Sequence, residues 1–511
     1  MSRSLPSTVE MAHAGRAPES ASTASALRLR ASAYYFTLFA VIVARFWVLP
    51  LRDGFWLDET GTVWTIQGRL RDVIAHCIIW PSQSPAYSIL AWLFYKLPGP
   101  HEVMLRLPSL VAMGVAAFLL YRLAVRLAGP RAGWPTVIVF ASIEPVAFAA
   151  TDARPYALAM LAVVGAMLLL VRWFDTGRLL DCAGYCLLAS LSIYMHFLFA
   201  TTLLVHLVYA IYRARDEKRI SGGHLLGAGA LVGGLLLPLG LYMAAVLKTA
   251  KSHAFAGTPS GTALFELLAP PVLVGSILLV LLVGYLTKMP LHLKVPRLQG
   301  SSLILLASWT LLPILLLYGV SVLTSVKAFL PRYTLPSEAG VALLVGWLLS
   351  AISPARSRLV VMLAVVLAAL MCAPGIQFSH GGDWRAAMAS VRSTVGASDM
   401  PVLVRSDFPE SEPFNWLNDE TRKEYLFAPL KAYSGAGDFV PLPMYFTAAS
   451  SAYLNRLMPE LEQSNSFLLV NMGDATYQNW LLGRLSAKGF EKKRIGSFGG
   501  SLTVDQYLRS H

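Results

Sequence analysis

Two neighbouring carboxylates, Asp58 and Glu59, stand in Phe55-Trp56-Leu57-Asp58-Glu59-Thr60-Gly61, directly after the first long apolar run. A carboxylate held among apolar side chains at a membrane boundary can take a proton from a hydroxyl group. An acid ahead of a helical pattern is equally an N-cap. A third carboxylate, Asp152, lies in Ala150-Thr151-Asp152-Ala153-Arg154-Pro155-Tyr156, between two apolar runs. A charge at bilayer depth costs about 2.5–3.5 kcal/mol on insertion scales, so such residues are paired, functional or both. Asp152 and Arg154 could neutralise each other or serve a site. Arg332 and Tyr333 follow in Phe329-Leu330-Pro331-Arg332-Tyr333-Thr334-Leu335-Pro336. The forked donors of an Arg suit a phosphate, and an Arg at a helix end also snorkels to headgroups. Tyr194 and His196 mark a break within a long apolar stretch, and Lys248, Lys251 and His253 form a further polar group.

These residues form one site only if the elements bearing them bring them to the same membrane face. Of 511 residues, 56% are hydrophobic and 14% charged, against about 25% charged in an average soluble domain. So few charges cannot wet the surface of a soluble protein. Apolar runs at 31–51, 103–127, 133–150, 154–173, 179–195, 197–213, 224–247, 267–288, 301–323, 334–352 and 358–376 predict a polytopic α-helical membrane protein of about eleven spans. The first run is too long for a signal-peptide core. The net charge of +13 comes from basic residues between the runs, where they set orientation, and no nucleic-acid partner is expected.

The stretch 179–213 has no polar turn. Read as two spans, it places Arg122, Arg126 and Arg131, Arg172 and Arg178, Arg213 to Arg219, Lys288 to Arg297, and Arg356 and Arg358 on one side. By the positive-inside rule that side is cytoplasmic. The N-terminus joins it, while Asp58, Glu59, Asp152, Arg154, His196 and Arg332 share the opposite face. Residues 1–30 read as a disordered cytoplasmic segment, rich in Ser and Ala. Residues 31–378 read as the membrane domain and 380–511 as a small extracytoplasmic α/β domain, with strands at 400–405, 466–471 and 501–507 and a helix at 476–488. In the long first loop, 60–77 and 85–97 predict helices lying in the interface, with Trp64, Trp80, Trp92 and Tyr95 at headgroup level. Of the four cysteines, Cys182, Cys186 and Cys372 lie in apolar runs and Cys77 in a loop, and no disulfide framework or metal spacing emerges.

The order of Trp56-Leu57-Asp58-Glu59, the segment from Ser84 to Leu97, Arg106 to Leu110, Ala150 to Leu158, Tyr194 to Phe197 and Pro331 to Pro336 resembles bacterial GT-C glycosyltransferases. The resemblance is to the protein-mannosyltransferase and aminoarabinose-transferase branch (family 39 and family 83 types), over roughly residues 35–350. Relatives show a Pro-Pro-Leu-Tyr-like stretch where this chain has Ser84-Pro85-Ala86-Tyr87. The resemblance implies sugar transfer from a polyprenyl-phosphate donor to an extracytoplasmic glycan, lipid or protein at the inner membrane. Asp58 would then be the base, Glu59 and Asp152 would orient it or the acceptor, and Arg154, Tyr194, His196, Lys248, Arg332 and Tyr333 would bind substrate.

Carboxylates flanking the reacting bond suit an oxocarbenium-like transition state. A divalent cation such as Mg or Mn would find oxygen ligands where Asp58, Glu59 and Asp152 meet, but the sequence does not require one. The competing reading is a transporter or flippase of a lipid-linked saccharide. Repeated halves and broken helices near the midplane mark that class, and this chain shows neither clearly.

Overall fold

The computed structural model describes residues 18–79, 84–216, 220–253, 257–268, 271–288, 292–372, 381–396, 398–412, 414–435 and 437–510. Among them, six helices are long and apolar enough to cross a bilayer, or seven if the bent pair Gly133–Ser142 and Glu144–Ala150 is one span. The apolar runs find their helices, with differences at the ends. The first helix, Pro18–Val43, already includes residues 18–27, within the segment read as disordered. Its Ala-rich sequence favours this. The run at 133–150 breaks at Ile143 with a 77° bend, and that at 267–288 holds the helix Pro271–Thr287.

The stretch 179–213 is two helices, Leu179–Met195 and Thr201–Asp216, separated at His196 by an extended backbone conformation. Their hairpin brings Arg213 back onto Asp175, which also pairs with Arg126 at 2.7 Å. The ends of the His101–Ala128, Tyr156–Thr176 and Thr201–Asp216 helices therefore meet at one end of the bundle. A helix of about twenty residues is roughly 30 Å long, so the starts of the first two lie a bilayer thickness away. Glycines let neighbouring helices approach closely. A Cβ on Gly340 would come within 2.6 Å of the Thr310 amide, and one on Gly346 within 2.8 Å of the Thr136 amide.

The first loop folds as Leu57–Thr65, Leu70–Ile79 and Pro85–Tyr95. Gly68, at φ +84°, divides the expected single helix over 60–77, because that conformation suits glycine. Cys77 is a buried helical residue, not a loop residue. Trp64 does not lie at headgroup level. It is buried, with its ring 4.2 Å from His76 and 5.1 Å from Tyr425. Trp80 lies outside the described residues.

Two short strands, β1 (His292–Leu293) and β2 (Ile352–Ser353), pair antiparallel. The remaining strands are β3 (Pro401–Arg405), β4 (Asp438–Pro441), β5 (Ser466–Met472), β6 (Phe490–Ser497) and β7 (Leu502–Arg509). They form one sheet in the order β4-β3-β5-β7-β6, with β4, β3 and β5 parallel and the other two antiparallel. β6 escaped the sequence reading because it runs Phe-Glu-Lys-Lys-Arg. It is an edge strand, where charges prevent further pairing.

This small domain grips the first loop. Leu57 and Trp64 belong to the same buried cluster as Trp384, Val404, Tyr425 and Phe467. The Phe55 amide donates to the Tyr433 hydroxyl at 2.6 Å, and Arg385 pairs with Glu102.

Candidate active site

The Leu57–Thr65 helix docks on the turn between Ala150 and Tyr156 through its Glu59/Thr62 face. Glu59 accepts the Ala153 amide at 2.7 Å, and the Thr62 hydroxyl donates to the Ala153 carbonyl at 3.1 Å. Residues three apart share a helix face, so Asp58 points elsewhere. It is not the N-cap. Trp56 occupies that position, and Glu59 reaches back to accept the Trp56 amide at 3.2 Å, as the acid of a capping box does.

Both Glu59 oxygens are also held by Arg106, whose Nε donates to Oε1 at 2.8 Å. The same guanidinium donates to the carbonyls of Pro50, Leu51, Asp53 and Gly54. Arg106 and Glu59 are fully buried. A charge inside the apolar run 103–127 was the available signal for Arg106. Three residues on, the Ser109 hydroxyl donates to the Asp152 carbonyl at 2.6 Å.

Asp58 is a quarter exposed, and its Oδ2 lies 3.8 Å from Arg332. The Arg154 guanidinium donates to the Asp58 carbonyl at 3.3 Å and to the Thr62 hydroxyl at 3.4 Å. Asp152 is buried. Its Oδ1 accepts Trp56 Nε1 at 3.0 Å, and its Oδ2 has no hydrogen-bond partner among the described residues. Burial lifts the Asp152 carboxyl well above the usual carboxylate range, and the Glu59 charge adds to this. The Trp56 hydrogen bond and Arg154 pull the other way.

His196 sits among the rings of Tyr156, Phe197, Phe199 and Tyr333, at 5.1–5.4 Å. Burial, with Arg154 and Arg332 nearby, pushes it down to about 3. It is therefore neutral at physiological pH and cannot offer a cation to a phosphate. The Arg332 guanidinium stacks over the rings of Tyr333 at 5.2 Å and Trp56 at 5.9 Å.

Asp58, Glu59, Asp152, Arg154, His196, Arg332 and Tyr333 thus converge. Tyr194 does not join them. Its hydroxyl donates to the Leu235 carbonyl at 2.8 Å, and its carbonyl accepts Ser84 Oγ. The Lys248 side chain lies outside the described residues. Among the described residues, no group of three or more His, Cys, Asp or Glu could hold a metal ion, and both Glu59 oxygens are already hydrogen-bonded. Glu59 is therefore not available as an oxygen ligand for the cation considered from sequence.

The geometry combines a quarter-exposed carboxylate, two guanidiniums beside it and a buried acid braced by an indole. That arrangement can take a proton from a hydroxyl and hold an anion within one small volume.

Residues 82–240 match a family model described as dolichyl-phosphate-mannose-protein mannosyltransferase. That segment holds Asp152, Arg154 and His196, while Asp58 and Arg332 lie outside it. No curated protein sequence matches the chain. The structure is similar to that of ArnT from Cupriavidus metallidurans in the apo state, with 12% identity, a TM-score of 0.56 and coverage of 93% of this chain and 98% of that one. It is also similar to the same protein bound to undecaprenyl phosphate, with 13% identity, a TM-score of 0.55 and coverage of 92% and 98%. This chain has the fold of the ArnT structures, and it resembles the polyprenyl-phosphate-sugar-dependent GT-C glycosyltransferases of the protein-mannosyltransferase and aminoarabinose-transferase branch.

Proposed function

We propose that the chain is an integral membrane glycosyltransferase that moves a sugar from a polyprenyl-phosphate donor to an acceptor hydroxyl on the extracytoplasmic side. The observation that carries this reading is the meeting of Asp58 with Arg332 and Arg154. A base for the acceptor and cations for the leaving phosphate share one site. The undecaprenyl phosphate in the similar ArnT structure supports a polyprenyl lipid as the donor's carrier.

Asp58 takes the acceptor's proton as the new bond to the sugar's anomeric carbon forms. The bond from that carbon to the phosphate oxygen breaks, and its electron pair leaves with the lipid phosphate. Arg332 stabilises the charge that develops there, and Lys248 is a candidate for the same task. Glu59, tied down by Arg106, and Asp152, braced by Trp56, orient Asp58 and the Ala150–Tyr156 turn. Arg154 and Tyr333 bind substrate, and His196 packs beneath them as a neutral ring. Tyr194 supports the Ser84 turn and does not touch substrate. One base and one cationic cradle imply a single displacement with inversion, so a product with retained anomeric configuration would refute it.

The N-terminus is cytoplasmic and residues 380–511 form an extracytoplasmic domain over the membrane domain at 31–378. Support comes from the Arg126–Asp175–Arg213 cluster at the end of the bundle opposite the site. Asp58→Asn in the full-length protein tests the function. Transfer from the lipid-linked donor is expected to fall by about 10²-fold or more, with thermal stability unchanged. Full activity in that variant overturns the assignment.

A further inference from the structure

Beyond β3 the chain turns through Asp407, whose φ of +68° is left-handed, and places Phe408 in the buried cluster that also holds Leu57 and Trp64 of the Leu57–Thr65 helix. Several contacts hold this turn. The Arg405 Nε donates to the Met444 carbonyl at 2.8 Å, and its guanidinium pairs with Asp474 at 3.0 Å. The Phe408 ring lies 4.7 Å from that of Tyr425. Ser411 donates to the Phe408 carbonyl at 2.7 Å and accepts the Met444 amide at 2.8 Å, while its carbonyl accepts Trp416 Nε1 at 2.8 Å. Between these anchors stands Glu410, 8% exposed. The turn bearing it also touches the Gly222–His253 helix of the membrane domain.

Glu410 stands two residues beyond Phe408, whose ring shares a buried cluster with Leu57 and Trp64 on either side of Asp58 and Thr62, and the charges of Asp58 and Arg154 act on it. Burial raises its carboxyl to about 7, its own backbone amide and Arg154 oppose this, and the Asp58 charge adds to it. Its Oε2 is buried and has no hydrogen-bond partner among the described residues. A buried acceptor oxygen left unsatisfied is costly, and a rigid loop delivering one to a site of group transfer matches it to a donor on the substrate. A carboxyl oxygen accepts from hydroxyl groups, which a sugar supplies in number.

We propose that Glu410, from the C-terminal domain, is a substrate-binding residue of the transfer site and accepts a hydrogen bond from a sugar hydroxyl. The hydroxyl belongs either to the lipid-linked donor or to a glycan acceptor. This inference rests on the transferase reading above but assigns the small domain a direct part in recognition.

The test uses the full-length protein in nanodiscs, with Glu410→Gln and Glu410→Asp alongside wild type and Asp58→Asn. Native mass spectrometry reads occupancy by undecaprenyl phosphate, and by the glycosylated polyprenyl phosphates of a total lipid extract from the producing cells. Transfer to membrane acceptors is measured in parallel. Glu410→Gln is expected to bind undecaprenyl phosphate within about twofold of wild type, because that lipid has no sugar. A loss of about tenfold or more in preference for the glycosylated lipid, with partial recovery in Glu410→Asp, assigns the donor hydroxyl. Unchanged lipid preference with transfer reduced about tenfold assigns the acceptor hydroxyl. A merely structural role would shift both lipids together, so a parallel loss overturns the proposal, as does wild-type behaviour in both measurements. If wild-type protein takes up no glycosylated lipid and Asp58→Asn is fully active, the transferase reading itself fails. If Asp58→Asn is inactive and Glu410→Gln is normal, only the present inference fails.

Discussion

Asp58 and Glu59 are chain neighbours, yet the helix that carries them turns Glu59 inward onto Arg106 and leaves Asp58 beside Arg332. Adjacency in sequence therefore yields one partly exposed carboxylate, the proposed base, and one locked in a buried ion pair. Breaking a buried ion pair from one side leaves an uncompensated charge, worth about 3–5 kcal/mol. Arg106→Met alone should lose that much in denaturant unfolding of the detergent-solubilised protein, and the Glu59→Met/Arg106→Met pair markedly less. Additive losses would show that the two side chains act independently. Trp56→Phe removes the hydrogen bond that holds Asp152 down in pKa. Asp152 should rise further, and if its ionised form is needed, the acid limb of kcat/KM moves to higher pH. An unmoved limb would separate Asp152 from the reaction. Arg106 was legible only as a charge within an apolar run, since its six acceptors all come from one distant stretch of chain, residues 50–59.

Packing at the level of elements rests on close approaches that a single methyl group would disturb. A Cβ on Gly61 would meet the buried Tyr425 hydroxyl at 2.9 Å, with ring atoms no nearer than 3.4 Å. Gly61→Ala should therefore tilt the Leu57–Thr65 helix off the small domain and lower activity, and Tyr425→Phe in the same protein should restore part of it. Activity lower still in the double variant would place the fault elsewhere. Gly340 faces backbone, which cannot swing aside. Gly340→Ala should cost about 1–3 kcal/mol by overpacking, read as a lower unfolding temperature. The helical runs were legible because apolar length is a local property. The break at His196 was legible too, whereas the 77° bend at Ile143 was not, because it lies inside what reads as a single apolar run.

Across the whole molecule the small domain is part of the site's framework. A domain that only guided the acceptor or covered the site would, on removal, alter acceptor use more than donor binding. Leu57 and Trp64 lie in its buried core, and Tyr433 receives the Phe55 amide. Removing residues from 381 onward should thus expose Leu57 and Trp64, loosen the helix bearing Asp58 and impair donor binding as well. The check is undecaprenyl phosphate binding by the truncated protein beside the full chain. Equal affinity would restore the peripheral role. Reporter fusions after residues 216 and 510 should fall on opposite sides of the membrane, the first cytoplasmic.

Taken alone, the sequence determined the membrane class, the approximate place of each apolar helix, the strands with alternating or wholly apolar patterns, and the acids and bases able to do chemistry. Those properties follow from composition and period along a short stretch of chain. Tertiary structure decided which carboxylate stays accessible beside Arg332, that Tyr194 bonds to Leu235, that His196 lies among aromatic rings, and that Glu410, more than 350 positions beyond Asp58, is buried with an unpartnered oxygen among the described residues. Each of these depends on burial and on partners from distant segments. Desolvation and hydrogen-bond pairing are set by the three-dimensional surroundings of a side chain, which its neighbours in sequence do not specify.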